Sequence, residues 1–210
     1  MFSREEPMKS RTDVINYLFA TRPYKTYLEI GVDNPDLNFN HVAVPTQFKT
    51  GVDPAVTYPN VLKMPSDEFF AEASASGRKW DIIFIDGDHS ANQAYRDMQN
   101  ALLCLNLGGA IVVHDVNPPT EESQFDTIQP IWCGGVWKAW VKMQMTCPKA
   151  MAALDADYGV GVIHDGVGRR ITVPDVLNWE ALERDRWQLL NLKKAEDFKT
   201  WLDLWALVEP

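Results

Sequence analysis

The sequence predicts an α/β fold built on a doubly wound, mostly parallel sheet, and two observations carry that prediction. Short apolar runs alternate with helix-periodic segments along most of the chain, the pattern of strands joined by crossover helices. Two of those runs, Trp80–Ile85 and Ala110–Val113, are apolar almost throughout, as strands covered on both faces are.

The elements follow in order. A helix is expected over Arg11–Ala20, then a strand at Tyr27–Ile30 closed by Gly31. Phe48–Val52 reads as a second strand ending at Asp53-Pro54, and Asn60–Lys63 as a short third. Ser66 can cap the next helix, which places Phe69, Phe70 and Ala73 toward the core and stops at Gly77. After the strand Trp80–Ile85, the stripe Ala94, Met98, Ala101, Leu102 and Leu105 marks a helix from Ala91 to Leu105, halted by Gly108-Gly109 before the strand Ala110–Val113. Asn117–Gln129 lacks periodicity and reads as a long loop. A helix resumes at Val136–Val141, and Met151–Leu154 with Tyr158–Ile163 forms a closing antiparallel hairpin, which brings the sheet to a Rossmann-like seven strands. Residues 178–207 read as amphipathic helix anchored by Trp187, Leu190 and Phe198, open either to packing on the same domain or to contact with a second copy. The expected organisation is one domain over 1–170 with a helical extension over 171–210.

Composition narrows the function. A chain of 210 residues with 46% hydrophobic and 23% charged residues buries one sizeable core. The first twenty residues mix charges with apolar positions, and no run is long enough to cross a membrane, so residence in the cytoplasm is the expectation. Cys104, Cys133 and Cys147 form no CxxC pair and read as reduced packing residues. A formal charge of -9 disfavours a nucleic-acid partner. Seven of the eight tryptophans lie after position 131, where they serve core packing or line an aromatic pocket.

In an open parallel sheet the ligand lies beyond the carboxyl ends of the strands, so the residues that follow each strand are the candidates. Here they are Glu29–Asp33, Asp53, Ser66 and Asp67, Asp86–His89, and His114-Asp115. Gly31 lets backbone come close, since it lacks a Cβ. Asp53, 22 residues after Gly31, stands where an acidic residue accepts ribose hydroxyls, or else caps the turn before Pro54. Asp86 and His114-Asp115 end adjacent strands about 5 Å apart and can converge on one ion; alternatively His114 is merely buried and Asp115 caps a loop. His89 is a proton acceptor near neutral pH or an N-cap to the helix that follows.

The ordered set YLEIGV, GVDP, MPSDEFF, WDIIFIDGDHS and GGAIVVHDVNP resembles the class I S-adenosylmethionine-dependent methyltransferases, and in particular methyltransferase family 24, the branch of the macrolide-sugar and catechol O-methyltransferases. The resemblance runs over about residues 10–165. It implies that Glu29 and Gly31 form the turn on the methionine side of S-adenosylmethionine, that Asp53 holds the ribose, that Ser66 and Asp67 lie near the adenine, and that Asp86 borders the cofactor. It also implies that Asp86 and Asp115, with His114 where relatives have a carboxylate, hold a divalent metal, magnesium or manganese, and that His89 is the general base toward a small hydroxylated acceptor, a sugar or secondary metabolite. One departure stands at Pro35, where the family's turn carries a second glycine and a proline has no N–H to offer. Two other readings compete. Asp86-Gly87-Asp88 matches the DxD element of metal-dependent nucleotide-sugar glycosyltransferases, and the fold could bind adenosine ligands without turnover as an interaction module.

Overall fold

The computed structural model describes residues 7–125 and 130–206. It contains α1 (Arg11–Thr21), β1 (Tyr27–Ile30), β2 (Lys49–Val52), β3 (Val61–Leu62), α2 (Ser66–Ala75), β4 (Trp80–Ile85), α3 (Ala91–Leu103), β5 (Leu105–Val113), α4 (Val136–Thr146), β6 (Ala150–Leu154), β7 (Val160–His164), α5 (Trp179–Leu189), β8 (Leu192–Lys193) and α6 (Ala195–Ala206). The strands form one sheet in the order β3-β2-β1-β4-β5-β7-β6-β8. β3, β2, β1, β4 and β5 run parallel, while β7 is antiparallel to both β5 and β6. The strand order reverses between β1 and β4, which opens the crevice where a ligand belongs in such folds.

Alternation along the central strands builds a core on each face of the sheet. Leu28, Ile30, Ile83, Ile85, Ile111 and Val113 pack under α2, α3, α4 and α5. Tyr27, Ile82, Phe84, Ala110 and Val112 pack under α1 and α6. Ser10 and Ser90 cap α1 and α3 by accepting from the backbone N–H of Asp13 and Gln93. Ser90, rather than His89, is therefore the helix cap. Trp137 and Trp140 are fully buried, and their indole N–H groups donate to Gln124 Oε1 and the Leu190 carbonyl, both at 3.0 Å. Core packing is thus the use of these two.

The structure differs from the sequence reading at four places. Ser66 is the first residue of α2 and makes no cap hydrogen bond; Pro65 holds the cap position. β5 begins at Leu105, which pairs with Trp80 across an irregularity, so the last residue of the apolar stripe belongs to the strand. A buried leucine satisfies either period, and periodicity alone does not separate them. The C-terminal segment is two helices parted by β8, which adds an eighth strand beside β6. Trp187 is 48% exposed, since non-helical Asp185 breaks the phase of α5, whereas Leu190 and Phe198 are buried as expected. Residues 126–129 of the expected loop and Leu207 of the tail lie outside the described residues. No helix among the described residues is long and apolar enough to cross a membrane.

Candidate active site at the carboxyl edge of the sheet

A cavity of about 450 Å³ lies at the switch point between β1 and β4. Gly31, Asp53, Ser66, Asp67 and Asp86 line it, so five of the expected cofactor residues meet at one concavity of ligand size. Asp53 is buried, with Oδ2 accepting from Asp33 N–H at 3.0 Å and Oδ1 from Ala55 and Val56 N–H at 2.8 and 3.0 Å. It therefore shapes the turn that follows β2 and also borders the cavity. Ser66 Oγ and Asp67 Oδ1 are held by Gln93 Nε2 at 3.2 and 3.1 Å. Gln93 itself lines the cavity and was not legible as a site residue, because a helical glutamine carries no pattern.

The first turn is shaped by Gly31 and Glu29. At Gly31 (φ +82°) a Cβ would lie 2.1 Å from the Asp86 carbonyl oxygen, so the glycine lets the turn after β1 pack against the turn after β4. Glu29 does not line the cavity. Its carboxylate is buried on the face of α1 and accepts from Tyr27 Oη at 2.5 Å and Asn38 Nδ2 at 2.9 Å. Burial raises its pKa to about 8 despite those two donors. Glu29 thus braces the strand beside the cavity. Pro35 is also away from the cavity lining, and its carbonyl accepts from Asn40 N–H at 2.9 Å.

Next to the cavity, Asp86, His114 and Asp115 bring one ligand atom each within 4.8 Å of one another. His114 Nδ1 stands 3.2 Å from Asp86 Oδ1 and 3.3 Å from Asp115 Oδ1. Neighbouring ligands on an ion with bonds of ~2.1 Å are about 3 Å apart, so this trio fits a divalent cation. Cys133 lies beside Asp115, and burial together with that carboxylate pushes its thiol pKa up. Asp88 also borders the cavity, and its Oδ1 accepts from Ser90 N–H at 2.7 Å, a local turn bond.

Charge in the cluster is matched by cations. Burial would raise the pKa of Asp86, but His114, His89 and Arg11 hold it well below the usual carboxylate range. Burial would lower that of His114, but Asp86, Asp115 and Asp157 raise it. Arg11 Nη1 approaches His114 Nε2 to 2.6 Å, and its backbone N–H donates to Asp157 Oδ2 at 2.9 Å. Arg11 and Asp157 come from the start of α1 and the β6–β7 turn, more than 140 residues apart, so no local spacing could have paired them.

His89 faces the same cluster. Its Nδ1 lies 2.9 Å from the Trp132 carbonyl, which can only accept, so Nδ1 carries a proton, and Nε2 stands 3.5 Å from Asp86 Oδ1. The Trp132 ring packs against the imidazole at 4.5 Å between centroids, tilted by 33°. A larger cavity of about 650 Å³ opens at the opposite rim of the sheet among Tyr24, His164, Trp201 and Trp205, and no expected site residue borders it.

Residues 20–116 match a family model described as a methyltransferase domain. Comparison with curated proteins gives no match. Among solved structures, the O-methyltransferase from Bacillus cereus in complex with S-adenosylhomocysteine superposes with a TM-score of 0.56 at 13% identity, covering 78% of this chain and 84% of that one. A Staphylococcus aureus protein, a candidate caffeoyl-CoA O-methyltransferase, gives 0.55 at 16% identity, covering 77% and 87%. A candidate O-methyltransferase from Klebsiella pneumoniae gives 0.52 at 15% identity, covering 72% and 77%. At such identities the likeness is one of fold.

Proposed function

We propose, for a chain whose residues 20–116 are a methyltransferase domain on the class I fold, that it transfers a methyl group from S-adenosylmethionine to a hydroxyl of a small molecule. The observation that carries this reading is the adjacency of the cavity bearing Gly31, Asp53, Ser66 and Asp67 to the Asp86, His114 and Asp115 cluster, with Asp86 common to both.

In this reading the cofactor supplies an electrophilic methyl carbon on a sulfonium and leaves as S-adenosylhomocysteine. Asp53 accepts hydrogen bonds from the ribose hydroxyls with the lone pairs its turn leaves free, and Ser66 and Asp67 border the adenine. Asp86, His114 and Asp115 would hold a divalent ion, manganese or magnesium, which lowers the pKa of a hydroxyl it touches. Holding donor and acceptor in line is the main contribution of the walls, since orientation can lower such a barrier by ~7 to 11 kcal/mol. The acceptor oxygen forms its bond to carbon as the carbon–sulfur bond breaks, and its proton passes to His89 Nε2. The Trp132 carbonyl keeps His89 in the tautomer that makes Nε2 the base.

Incubation with labelled S-adenosylmethionine and a panel of hydroxylated acceptors, with and without manganese or magnesium, tests the reading. Metal-dependent label in one acceptor class is expected. Calorimetric binding of a uridine diphosphate sugar in place of S-adenosylhomocysteine would overturn it.

A further inference from the structure

We propose that the cavity at the rim opposite the candidate active site is a second small-molecule site, built to take an aromatic carboxylate on the Arg22 guanidinium and the Trp201 and Trp205 rings.

This cavity of about 650 Å³ is of ligand size and shares no lining residue with the cofactor cavity. Its walls come from separate parts of the chain. Arg22 follows the last turn of α1, Tyr24 leads into β1, His164 ends β7, and Trp201 and Trp205 lie four residues apart on one face of α6. Arg22 Cζ is 3.6 Å from the Trp205 ring centroid, and the His164 ring lies stacked 3.9 Å from the same centroid at 10°. Two groups so close to one centroid occupy opposite faces of the ring, so Arg22, Trp205 and His164 form a column. Trp201 leans on that column, 4.5 Å from His164 between centroids. Leu107, Val167 and Leu204 line the cavity while exposed, which leaves it an apolar mouth.

The polar groups of this wall are incompletely matched. Arg22 Nη2 donates to the Leu202 carbonyl at 2.8 Å, Nε is buried without a hydrogen-bond partner, and no carboxylate among the described residues pairs with the guanidinium. Burial pulls its pKa below the ordinary arginine value. Asp203, whose field reaches Arg22, is held by Tyr17 and Lys199. The carboxylates that line the cavity are committed as well. Asp81 accepts from the backbone N–H of Lys25 and Thr26 and from Asn106 Nδ2, and Asp165 from Gly108 N–H and Lys149. His164 Nδ1 lies 2.5 Å from the Asp165 carbonyl and so carries a proton. Burial lowers the pKa of this ring to about 4, which leaves it neutral and its Nε2 a buried lone pair without a donor. Orphaned polar atoms are rare in folded chains, and here two flank one tryptophan at one cavity. A cation without a counter-charge beside aromatic rings is matched by an anion on a flat apolar body, and the planar guanidinium fork suits a carboxylate.

Nitrogen-15 spectra of the full chain, with indole N–H resonances assigned through Trp132→Phe, Trp201→Phe and Trp205→Phe, test the site. The probes are 2-naphthoate, its carboxamide and 2-naphthylmethylamine, three head groups on one ring system. Naphthoate is expected to bind at millimolar concentration or below and to move the Trp201 and Trp205 resonances while Trp132 stays in place. The carboxamide and the amine should bind about tenfold more weakly or worse, and Arg22→Gln should lose about tenfold in naphthoate affinity, as removal of a charged donor demands. S-adenosylhomocysteine affinity, expected to be equal in wild type and Arg22→Gln because Arg22 does not border the cofactor cavity, shows that the variant is folded. Should it fail to fold, the head-group comparison in the wild type decides. Equal or tighter binding of the amine or the carboxamide, octanoate binding as tightly as naphthoate, shifts confined to Trp132, or no binding at all would each overturn the proposal.

Discussion

The substitution Glu29→Gln isolates the cost of one buried carboxyl. The folded pKa is raised from 4.5 to about 8, chiefly by burial. Between those values the native protein keeps a proton that the unfolded chain releases, so stability falls as pH rises from about 4.5 and levels off above about 8. Each pH unit in that window is worth about 1.4 kcal/mol for this one group, so moving from about pH 5.5 to about pH 7.5 costs the wild type about 3 kcal/mol. The amide oxygen of the replacement would accept the same hydrogen bonds from Tyr27 and Asn38, and the amide does not titrate. Urea unfolding followed by circular dichroism at both pH values should therefore show the variant gaining about 3 kcal/mol on the wild type across the interval, with all other titrations cancelling in the difference. A stability gap that stays constant with pH refutes the reasoning. S-adenosylhomocysteine affinity should change by no more than about twofold, because a buried brace and not a ligand contact is lost.

Other substitutions test the remaining walls of the site. Asp53→Asn should weaken S-adenosylhomocysteine binding about tenfold or more by calorimetry, the worth of hydrogen bonds to a charged acceptor. Gly31→Ala places a Cβ 2.1 Å from the Asp86 carbonyl oxygen at φ +82°, and chemical unfolding should show a loss of at least ~3 kcal/mol. His89→Gln should lower turnover ~100-fold or more while sparing S-adenosylhomocysteine binding. Burial works against protonation of His89, but Asp86 and Asp115 raise its pKa above 6.5. The base acts deprotonated, so wild-type turnover should rise with pH through an inflection above 6.5 that His89→Gln lacks.

Strand positions, and the polar residues that close them, can be read directly from the chain. An apolar run such as Trp80–Ile85 followed by Asp86 states both that the strand is buried and that its carboxyl end is polar, and the switch-point rule converts this into a site at one rim. Gly31, Asp53, Ser66, Asp67 and Asp86 were legible for that reason. What each side chain or backbone turn packs against was not. Packing alone settles that Glu29 turns toward α1 to meet Tyr27 and Asn38, that Gly31 makes room for the Asp86 backbone, and that Ser90 rather than His89 caps α3. Strand periodicity says which face a side chain takes, but not what waits there. Arg11, Trp132 and Asp157 reach the cluster from a helix start, a loop and a hairpin turn that the folded chain alone brings together. Local pattern records covalent neighbours, whereas the contact of Arg11 with His114 joins residues more than a hundred positions apart, and that information exists only once the sheet is covered on both faces.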